Sequence, residues 1–293
     1  MYALLSITRQ SHQQQLKREQ LALHRSILYL HLIHQVRQHH PSMGLRTIYE
    51  RFAPEGIGRD AFIALGINHG LLVVPIKGPR TTIAHPSAIY PNLCLNKELK
   101  GVNQLWSSDI TYFAIGEKWY YLTFIMDVYS RRIIGYHADD NMRANSTVQA
   151  LKMALDLRGI KGYKEDLIHH SDRGSQYISK VYTQLLSDYH IRISMCDNVL
   201  ENAHIERING IIKNKYLKYR SINNLQQLRK WLQKDVDAYN YDKPHGSLNK
   251  KTPVEFENFI KELNEKERPV LNIFTYQQNS EKINPTQLSF LFC

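Results

Sequence analysis

One carboxylate of this chain, Asp172, lies where proteins commonly hold a metal ion. It follows a short apolar segment, residues 166–170, that is typical of a buried strand, and it precedes a turn containing Gly174. An acidic side chain at the end of a buried strand, beside a glycine-containing turn, is well placed to hold a divalent cation. An Asp-x-Gly sequence taken alone more often marks an ordinary turn. The interpretation therefore depends on other acidic residues.

Two further carboxylates complete a candidate site. Asp109 lies in a predicted strand and Glu206 in a predicted long helix. Mg²⁺ prefers a few carboxylates together with water and substrate phosphate oxygens. Two such ions about 4 Å apart activate a nucleophile on one side of a phosphorus and stabilise the leaving oxygen on the other. The chemistry predicted is phosphoryl transfer, which needs no Ser, Cys or Tyr nucleophile.

Alternating strand and helix patterns from residue 102 onward must position these three side chains. Aromatic and β-branched runs predict strands, and apolar residues at helical spacing predict helices. The strands are predicted at 105–113, 119–128, 132–137, 167–170 and 191–195, with a hairpin turn at Glu117-Lys118, and the helices at 145–157, 177–189, 201–217 and 225–239. This order favours an α/β fold with a ribonuclease-H-like core, a mixed five-stranded sheet with helices.

Three helices are predicted before this core, at 1–40, 43–52 and 59–70. The first has an apolar face that includes Ile27, Leu28, Ile33 and Val36, and Pro41 ends it. Several arginines in this region suggest a small, helix-turn-helix-like DNA-binding module; a plain helical bundle that only packs on the next domain remains the alternative. Five histidines lie between residues 24 and 40, but a zinc site is disfavoured because no cysteine precedes Cys94.

The charge balance favours a polyanionic partner. The formal net charge of the 293-residue chain is +11, which favours nucleic acid first, although a basic enzyme without such a partner is the alternative. Three widely separated cysteines argue against a disulfide scaffold and fit a reducing compartment. No apolar run is long enough to span a bilayer, so we expect a soluble protein.

A basic stretch follows Glu206. Residues 207–234 contain eight Lys or Arg residues and no Asp or Glu. Lys213 comes two helical turns after Glu206, so it should lie on the same face. A basic face leading away from an acidic centre suits a DNA backbone, whereas a merely solvated basic helix is the alternative. Tyr216, Tyr219 and Trp231 in this stretch are expected in the core, with stacking on DNA as the second option.

Four segments, taken together, resemble the OrfB-type transposases of the IS-three family of bacterial insertion sequences, which share their catalytic core with retroviral integrases. The segments are Trp106-Ser-Ser-Asp109-Ile-Thr, His170-Ser-Asp172-Arg-Gly-Ser-Gln-Tyr177, Glu201-Asn-Ala-His-Ile-Glu206 and Tyr239-Asn-Tyr-Asp-Lys-Pro244-His-Gly-Ser-Leu248. The resemblance covers residues 20–260. Asp109, Asp172 and Glu206 match the family's Asp-Asp-Glu triad.

This resemblance implies a bacterial enzyme that cuts and joins DNA at insertion-sequence ends. It implies two Mg²⁺ (or Mn²⁺) ions at the triad, double-stranded DNA as partner, a homo-oligomer on DNA and a place in the cytoplasm at the nucleoid. An upstream-frame OrfA protein or fusion is a further possible partner. A nuclease of the same fold and an inactive DNA-binding relic are the alternatives. The spacing of 34 positions from Asp172 to Glu206 is shorter than usual in the family, which places the loop 196–200 in question and leaves Glu201 as a rival ligand.

Other site residues are predicted around the triad. DNA contacts are expected from Arg46, Arg173, Arg207, Lys213, Lys215 and Lys218, and support behind the ligands from His170, Gln176 and Asn202. The predicted organisation is a helical module at 1–72, an extended linker at 73–100, the catalytic core at 101–220, a helical extension at 221–265 and a tail at 266–293.

Overall fold

The computed structural model of this chain describes residues 9–73, 90–141, 144–160, 166–196 and 202–273. Its helices are α1 (Arg9–His39), α2 (Leu45–Phe52), α3 (Arg59–Asn68), α4 (Ala144–Arg158), α5 (Lys180–Asp188), α6 (Ala203–Ile211), α7 (Leu225–Tyr241) and α8 (Pro253–Glu262). Its strands are β1 (Lys97–Leu99), β2 (Leu105–Ile115), β3 (Lys118–Asp127), β4 (Ile133–Asp139), β5 (Ile168–Ser171), β6 (Arg192–Met195) and β7 (Leu271–Ile273). Among the described helices, none has the length and apolar character needed to cross a membrane.

Five strands form one mixed sheet in the order β4-β3-β2-β5-β6. The β2–β3 and β3–β4 pairs are antiparallel, whereas β5 lies parallel to both β2 and β6. The hairpin turns at Gly116 and Glu117, one residue earlier than predicted. Gly116 has a φ of 59°, which glycine adopts without strain. The predicted ribonuclease-H-like sheet is confirmed.

Helices cover both faces of the sheet because its side chains alternate between two apolar layers. Leu105 and Phe124 pack in one layer with residues of α6 and α7. Their chain neighbours Trp106 and Ile125 pack in the other layer with residues of α4 and α5. Successive side chains on a strand point to opposite faces, so each strand contributes to both layers. Trp106 is fully buried, which confirms its prediction as a core residue next to Asp109.

Gly135 of β4 lies where α4 packs directly on the sheet. A Cβ at this position would lie 2.1 Å from the backbone oxygen of Ala150, and that oxygen can retreat only if the helix moves. We expect Gly135→Ala to lower the free energy of unfolding by about 3 kcal/mol, measured by urea denaturation. Gly210→Ala is the control, because Gly210 lies within α6 and has open space around it. Alanine is the better helix former, so this variant should have a free energy of unfolding higher by up to about 1 kcal/mol. Equal stability of the two variants would contradict the close packing.

The N-terminal helices form a small module with its own apolar core. That core consists of Ile33, Val36, Met43, Leu45, Ile48 and Phe62. The three predicted helices are confirmed, with residues 1–8 outside the described part. The predicted apolar face of α1 is only partly buried, since Ile27 and Leu28 are exposed. The reason is that α2 and α3 are short and reach only the C-terminal half of α1.

A second, two-stranded sheet was not predicted. β1 pairs antiparallel with β7, and Leu99 and Ile273 are both buried in the main core. The end of the predicted linker and the start of the predicted tail are therefore packed on the catalytic core. Most of that linker (74–89) and the rest of the tail (274–293) lie outside the described residues. Strands of three residues carry too little periodicity to be predicted from local sequence.

Two predicted helices differ from the structure at their ends. The helix predicted at 201–217 is α-helical only as far as Ile211; a π-helical turn (Ile212–Tyr216) and a short 3-10 turn (Leu217–Tyr219) then continue it. The helix predicted from Tyr177 begins at Lys180 instead. Ser179 has an extended conformation there, as expected of the residue that precedes a helix.

Candidate active site

The register of the central strands brings Asp109 and Asp172 to one place. Ser108 of β2 pairs with Ser171 of β5 in a parallel ladder, and the two aspartates are the next residues along each strand. Their side chains therefore leave neighbouring strands at the same level. Each is half-buried, and the charge of Asp172 is close enough to raise the pKa of Asp109.

The turn after β5 is built around the Asp172 carboxylate. The backbone N–H of Gly174 donates to Asp172 Oδ1 at 3.0 Å. A Cβ on Gly174 would lie 3.0 Å from both Asp172 Oδ1 and Gln176 Oε1, so the missing side chain allows this close approach. Arg173 Nε donates to the backbone oxygen of Cys196 at 3.0 Å. That bond ties the turn to the end of β6, so Arg173 orients the turn.

Asn202 connects the start of α6 to the strand that carries Asp109. Its Oδ1 accepts a hydrogen bond from Ser107 Oγ at 2.6 Å, and its Nδ2 donates to the backbone oxygen of Ser108 at 3.2 Å. Both partners immediately precede Asp109. Asn202 therefore lies directly behind Asp109, and its supporting role stays a prediction. Glu206 follows one turn later on α6 with an exposed side chain.

Asn209 is a site residue that the sequence reasoning missed. Its Nδ2 donates to Asp109 Oδ2 at 2.6 Å. Its Oδ1 is buried and has no hydrogen-bond partner among the described residues. Asn209 comes three residues after Glu206, and residues so spaced share one face of a helix. That spacing was the signal available in the sequence, and it places a donor and an acceptor next to Asp109.

The electrostatics of the site are set by crowded acids. The pKa of Asp109 is raised to about 7, mainly by burial, then by the charge of Asp172 and to a smaller extent by Glu206. Lys213 opposes that shift, so it lies near Asp109. Burial raises the pKa of Glu206 and lowers that of Lys213. A group that brought positive charge to the acids would relieve their repulsion.

The oxygen atoms at this site are of the kind that a hard divalent cation binds, although the side chains do not yet surround a metal position. In the described part of the chain, no three His, Cys, Asp or Glu side chains already converge as a metal site. Asp109 and Asp172 are coupled more strongly than Asp109 and Glu206. Carboxylate oxygens and the unpartnered Asn209 amide oxygen are the ligand types that Mg²⁺ prefers, with water and substrate completing the shell. The rival Glu201 and the shortened loop 197–200 lie outside the described residues.

The remaining predicted residues fall into two groups. Arg207 and Lys215 are exposed and Lys218 is half-buried, all on the catalytic helix and its continuation, and Arg46 is exposed on α2. These positions suit contact with a DNA backbone, which stays a prediction. His170 is buried in the sheet, with Nδ1 2.9 Å from Ser194 Oγ. This contact links β5 to β6, and support of the ligands by His170 stays a prediction.

Part of the predicted basic surface is structural. Arg220 Nη2 lies 2.5 Å from Oδ1 of the buried Asp235 and Nη1 donates to the backbone oxygen of Gln38 at 2.6 Å, so this side chain joins the core to α1. The Arg220 guanidinium group lies over the Trp231 ring, 4.3 Å from the ring centre, and so covers one face of that ring. Tyr216 is buried, which confirms the prediction that it lies in the core.

Comparison with known proteins agrees with this geometry. A family model described as Integrase core domain matches residues 100–198, and a second with the same description matches residues 191–253. The transposase for insertion sequence element IS629 of Shigella sonnei is 31% identical over 227 residues, which cover 75% of this chain and 75% of that protein. Transposase InsF for insertion sequence IS3A of Escherichia coli strain K12 is 31% identical over 161 residues, which cover 54% of this chain and 55% of the relative.

A solved structure, the HTLV-2 integrase catalytic core domain in complex with magnesium, is also similar. It is 23% identical, covers 54% of this chain and 97% of its own chain, and has a TM-score of 0.43. The fold assignment rests on the strand order and not on this superposition. The sheet and the matched domain define an enzyme with an integrase-type core that cleaves and joins DNA. The chain belongs to the IS3-type transposases of bacterial insertion sequences, so the resemblance is confirmed.

The raised pKa of Asp109 predicts a stability change with pH. A carboxyl group whose pKa is raised on folding stabilises the fold below its unfolded pKa, near 4, and that contribution is lost as pH rises through about 7. In EDTA, Asp109→Asn should therefore raise the melting temperature by roughly 3–6 °C at pH 8 and by much less at pH 5. The control is Asp156→Asn, which changes an exposed acid of α4. A pH-independent difference would contradict the crowding of acids at Asp109.

Proposed function

We propose that Asp109, Asp172 and Glu206 are the catalytic carboxylates of this transposase and that together they hold Mg²⁺ or Mn²⁺, two ions per site. The observation that carries this proposal is the β2–β5 register, which gives two aspartates a common position, with α6 fastened beside them by Asn202. When bound, the ions would polarise a phosphodiester, activate the attacking oxygen and stabilise the leaving oxygen.

The protein's own residues position the reacting DNA. An in-line displacement at phosphorus depends on orientation and charge neutralisation more than on a protein nucleophile. Asn209 holds Asp109 through one carboxylate oxygen, and Gly174 holds Asp172 through another. Hydrolysis of one strand would free a 3′-hydroxyl, and that hydroxyl would then attack a second phosphodiester without a covalent protein intermediate.

The partner in this proposal is double-stranded DNA, both the element ends and the target. The net charge of +11 favours a polyanion, and Arg207, Lys215 and Lys218 continue from the acidic centre along one basic segment. Arg46 would add contacts from the helical module. Two ends must be joined in one event, so we propose a homo-oligomer assembled on DNA, with an upstream-frame OrfA protein or fusion as a further partner. We propose action at the nucleoid in the bacterial cytoplasm.

A strand-joining assay tests this proposal. Labelled duplex carrying the element's own ends is incubated with the protein and Mg²⁺, and product length is measured against Asp172→Asn and against EDTA. Products longer than the substrate, lost in both controls, support joining. Shortened products alone would indicate a nuclease of the same fold. DNA binding without metal-dependent products, repeated with the upstream-frame fusion, would contradict the proposal.

A further inference from the structure

A cavity between the helical module and the catalytic core stands apart from the acidic site. Its volume is about 170 Å³, room for several waters at about 30 Å³ each. From the core it is lined by Lys215 and Lys243, and from the module by His40, Gly44 and Thr47. Hydrogen bonds hold the two walls together: Ser42 Oγ donates to the Lys215 backbone oxygen at 2.8 Å, and His40 Nδ1 lies 2.8 Å from the Tyr216 hydroxyl.

The charges at this cavity are not neutralised from within. None of the described residues that line it is acidic. The nearby Asp242 lies at its edge, 3.7 Å from His40 Nε2. The pKa of Lys243 is lowered to about 8, mainly by burial and also by the positive charges of Lys215 and Arg207. Lys243 is half-buried and Lys215 is exposed. A lysine that is withdrawn from water favours a negatively charged partner, so this arrangement suits an external anion.

Residues with hydrogen-bond donors line the same cavity. Lys243 Nζ donates to its neighbour's backbone oxygen, on Pro244, at 3.4 Å, and an ammonium group has three donors. Gly44 and Thr47 belong to the first turn of α2, whose N-terminus has no side-chain cap and no acidic residue. The unpaired N–H groups and the dipole of a helix N-terminus attract phosphate. The lysines and the helix start therefore favour the same ligand.

We propose that this cavity binds one backbone phosphate of duplex DNA and so connects the helical module to the catalytic core on the same DNA strand. The proposal relies on the DNA-transfer function above only for the identity of the polyanion. Free inorganic phosphate has the same chemistry as a backbone phosphate, and the experiment separates these two sources. Recognition would be independent of base sequence, because phosphate contacts position DNA without reading it.

The test measures how duplex affinity depends on salt for the full chain in EDTA, where no strand chemistry occurs. Each phosphate contact contributes about 0.9 to the slope of log K against log salt concentration. We expect Lys243→Gln to reduce the magnitude of that slope by about 0.9 and to weaken duplex affinity several-fold. Lys152→Gln is the matched control, because it removes one charge from an exposed position of α4, and its slope should equal wild type. An unchanged slope in Lys243→Gln would overturn the proposal.

A second variant keeps the test independent of folding defects. Thr47→Asp changes net charge by the same amount and places an acid in the first turn of α2, where it stabilises the helix. We expect an unchanged or higher melting temperature together with the same loss of slope. Inorganic phosphate is tested separately by thermal shift. If it stabilises wild type but not Lys243→Gln while both variants keep the wild-type DNA slope, the cavity is a small-anion site and the DNA proposal is wrong.

Discussion

Asp172→Asn should lower the rate of strand joining at least about a thousandfold, which corresponds to about 4 kcal/mol of lost transition-state stabilisation. The amide keeps the shape of the side chain but removes the negative charge that would hold a metal. Asp109→Asn and Glu206→Gln should do the same, because the three acids would act as a unit. Duplex affinity measured in EDTA should stay within about twofold of wild type, since the acids are not phosphate ligands.

Controls separate catalysis from folding in this series. Asp156→Asn changes an exposed acid of α4 and should keep wild-type joining. Glu206→Gln is the most informative member, because Glu206 is exposed and its loss should not destabilise the fold. Joining above a tenth of the wild-type rate in the Glu206 variant would remove Glu206 from the catalytic set and make Glu201 the remaining candidate.

Glu257→Gln should destabilise the protein by about 3–5 kcal/mol, or roughly 6–15 °C in melting temperature. Glu257 is 3% exposed and accepts from Arg158 at 2.5 Å, from Arg132 at 2.6 Å and from Ser130 at 2.7 Å. Although burial alone would raise its pKa, the hydrogen bond and charge of Arg158 hold the pKa of Glu257 below its ordinary value. Loss of its charge removes the carboxylate that both guanidinium groups share, and Asp127 pairs with Arg158 but not with Arg132 among the described contacts.

The matched control for this prediction is Glu262→Gln, an exposed acid at the end of the same helix, α8. It should change the melting temperature by less than about 2 °C, because surface carboxylates contribute little. The comparison is made by calorimetry at pH 7. If Glu257→Gln and Glu262→Gln have the same melting temperature, the buried ionic network that joins α8 to α4 and β3 does not stabilise the fold as described.

The strands and the two aspartates were predictable because their signals are local. The β2–β3 hairpin is a run of aromatic and β-branched residues around one turn. Asp172 directly follows a short buried strand, and Asn202 precedes Glu206 by one helical turn. Asn209 was equally accessible from helical spacing. Lys213 lies close enough to Asp109 to oppose the rise in its pKa, although a π-helical turn begins at Ile212; its contact with DNA stays a prediction.

The features that were missed depend on contacts between distant parts of the chain. β1 and β7 are separated by more than 170 positions, and neither strand is long enough to show periodicity. His170 could face the site or the sheet, and only the register with β6 places it beside Ser194. From the sequence alone, Arg220 resembles any surface cation. Only the fold brings Asp235 and the backbone oxygen of Gln38 to its guanidinium group. The cavity at Lys243 likewise exists only once the module has packed on the core.

The central claim, that these acids hold the metal, is tested most directly by exchanging one ligand atom. Asp172→Cys replaces a carboxylate oxygen with sulfur, which Mg²⁺ accepts poorly and Mn²⁺ accepts more readily. Strand joining is measured with both ions for wild type, Asp172→Cys and Asp172→Asn. We predict joining by wild type with either ion, by the cysteine variant only with Mn²⁺, and by the asparagine variant with neither. Equal joining by Asp172→Cys in Mg²⁺ and Mn²⁺, or activity of Asp172→Asn in Mg²⁺, would contradict the assignment of Asp172 as a metal ligand.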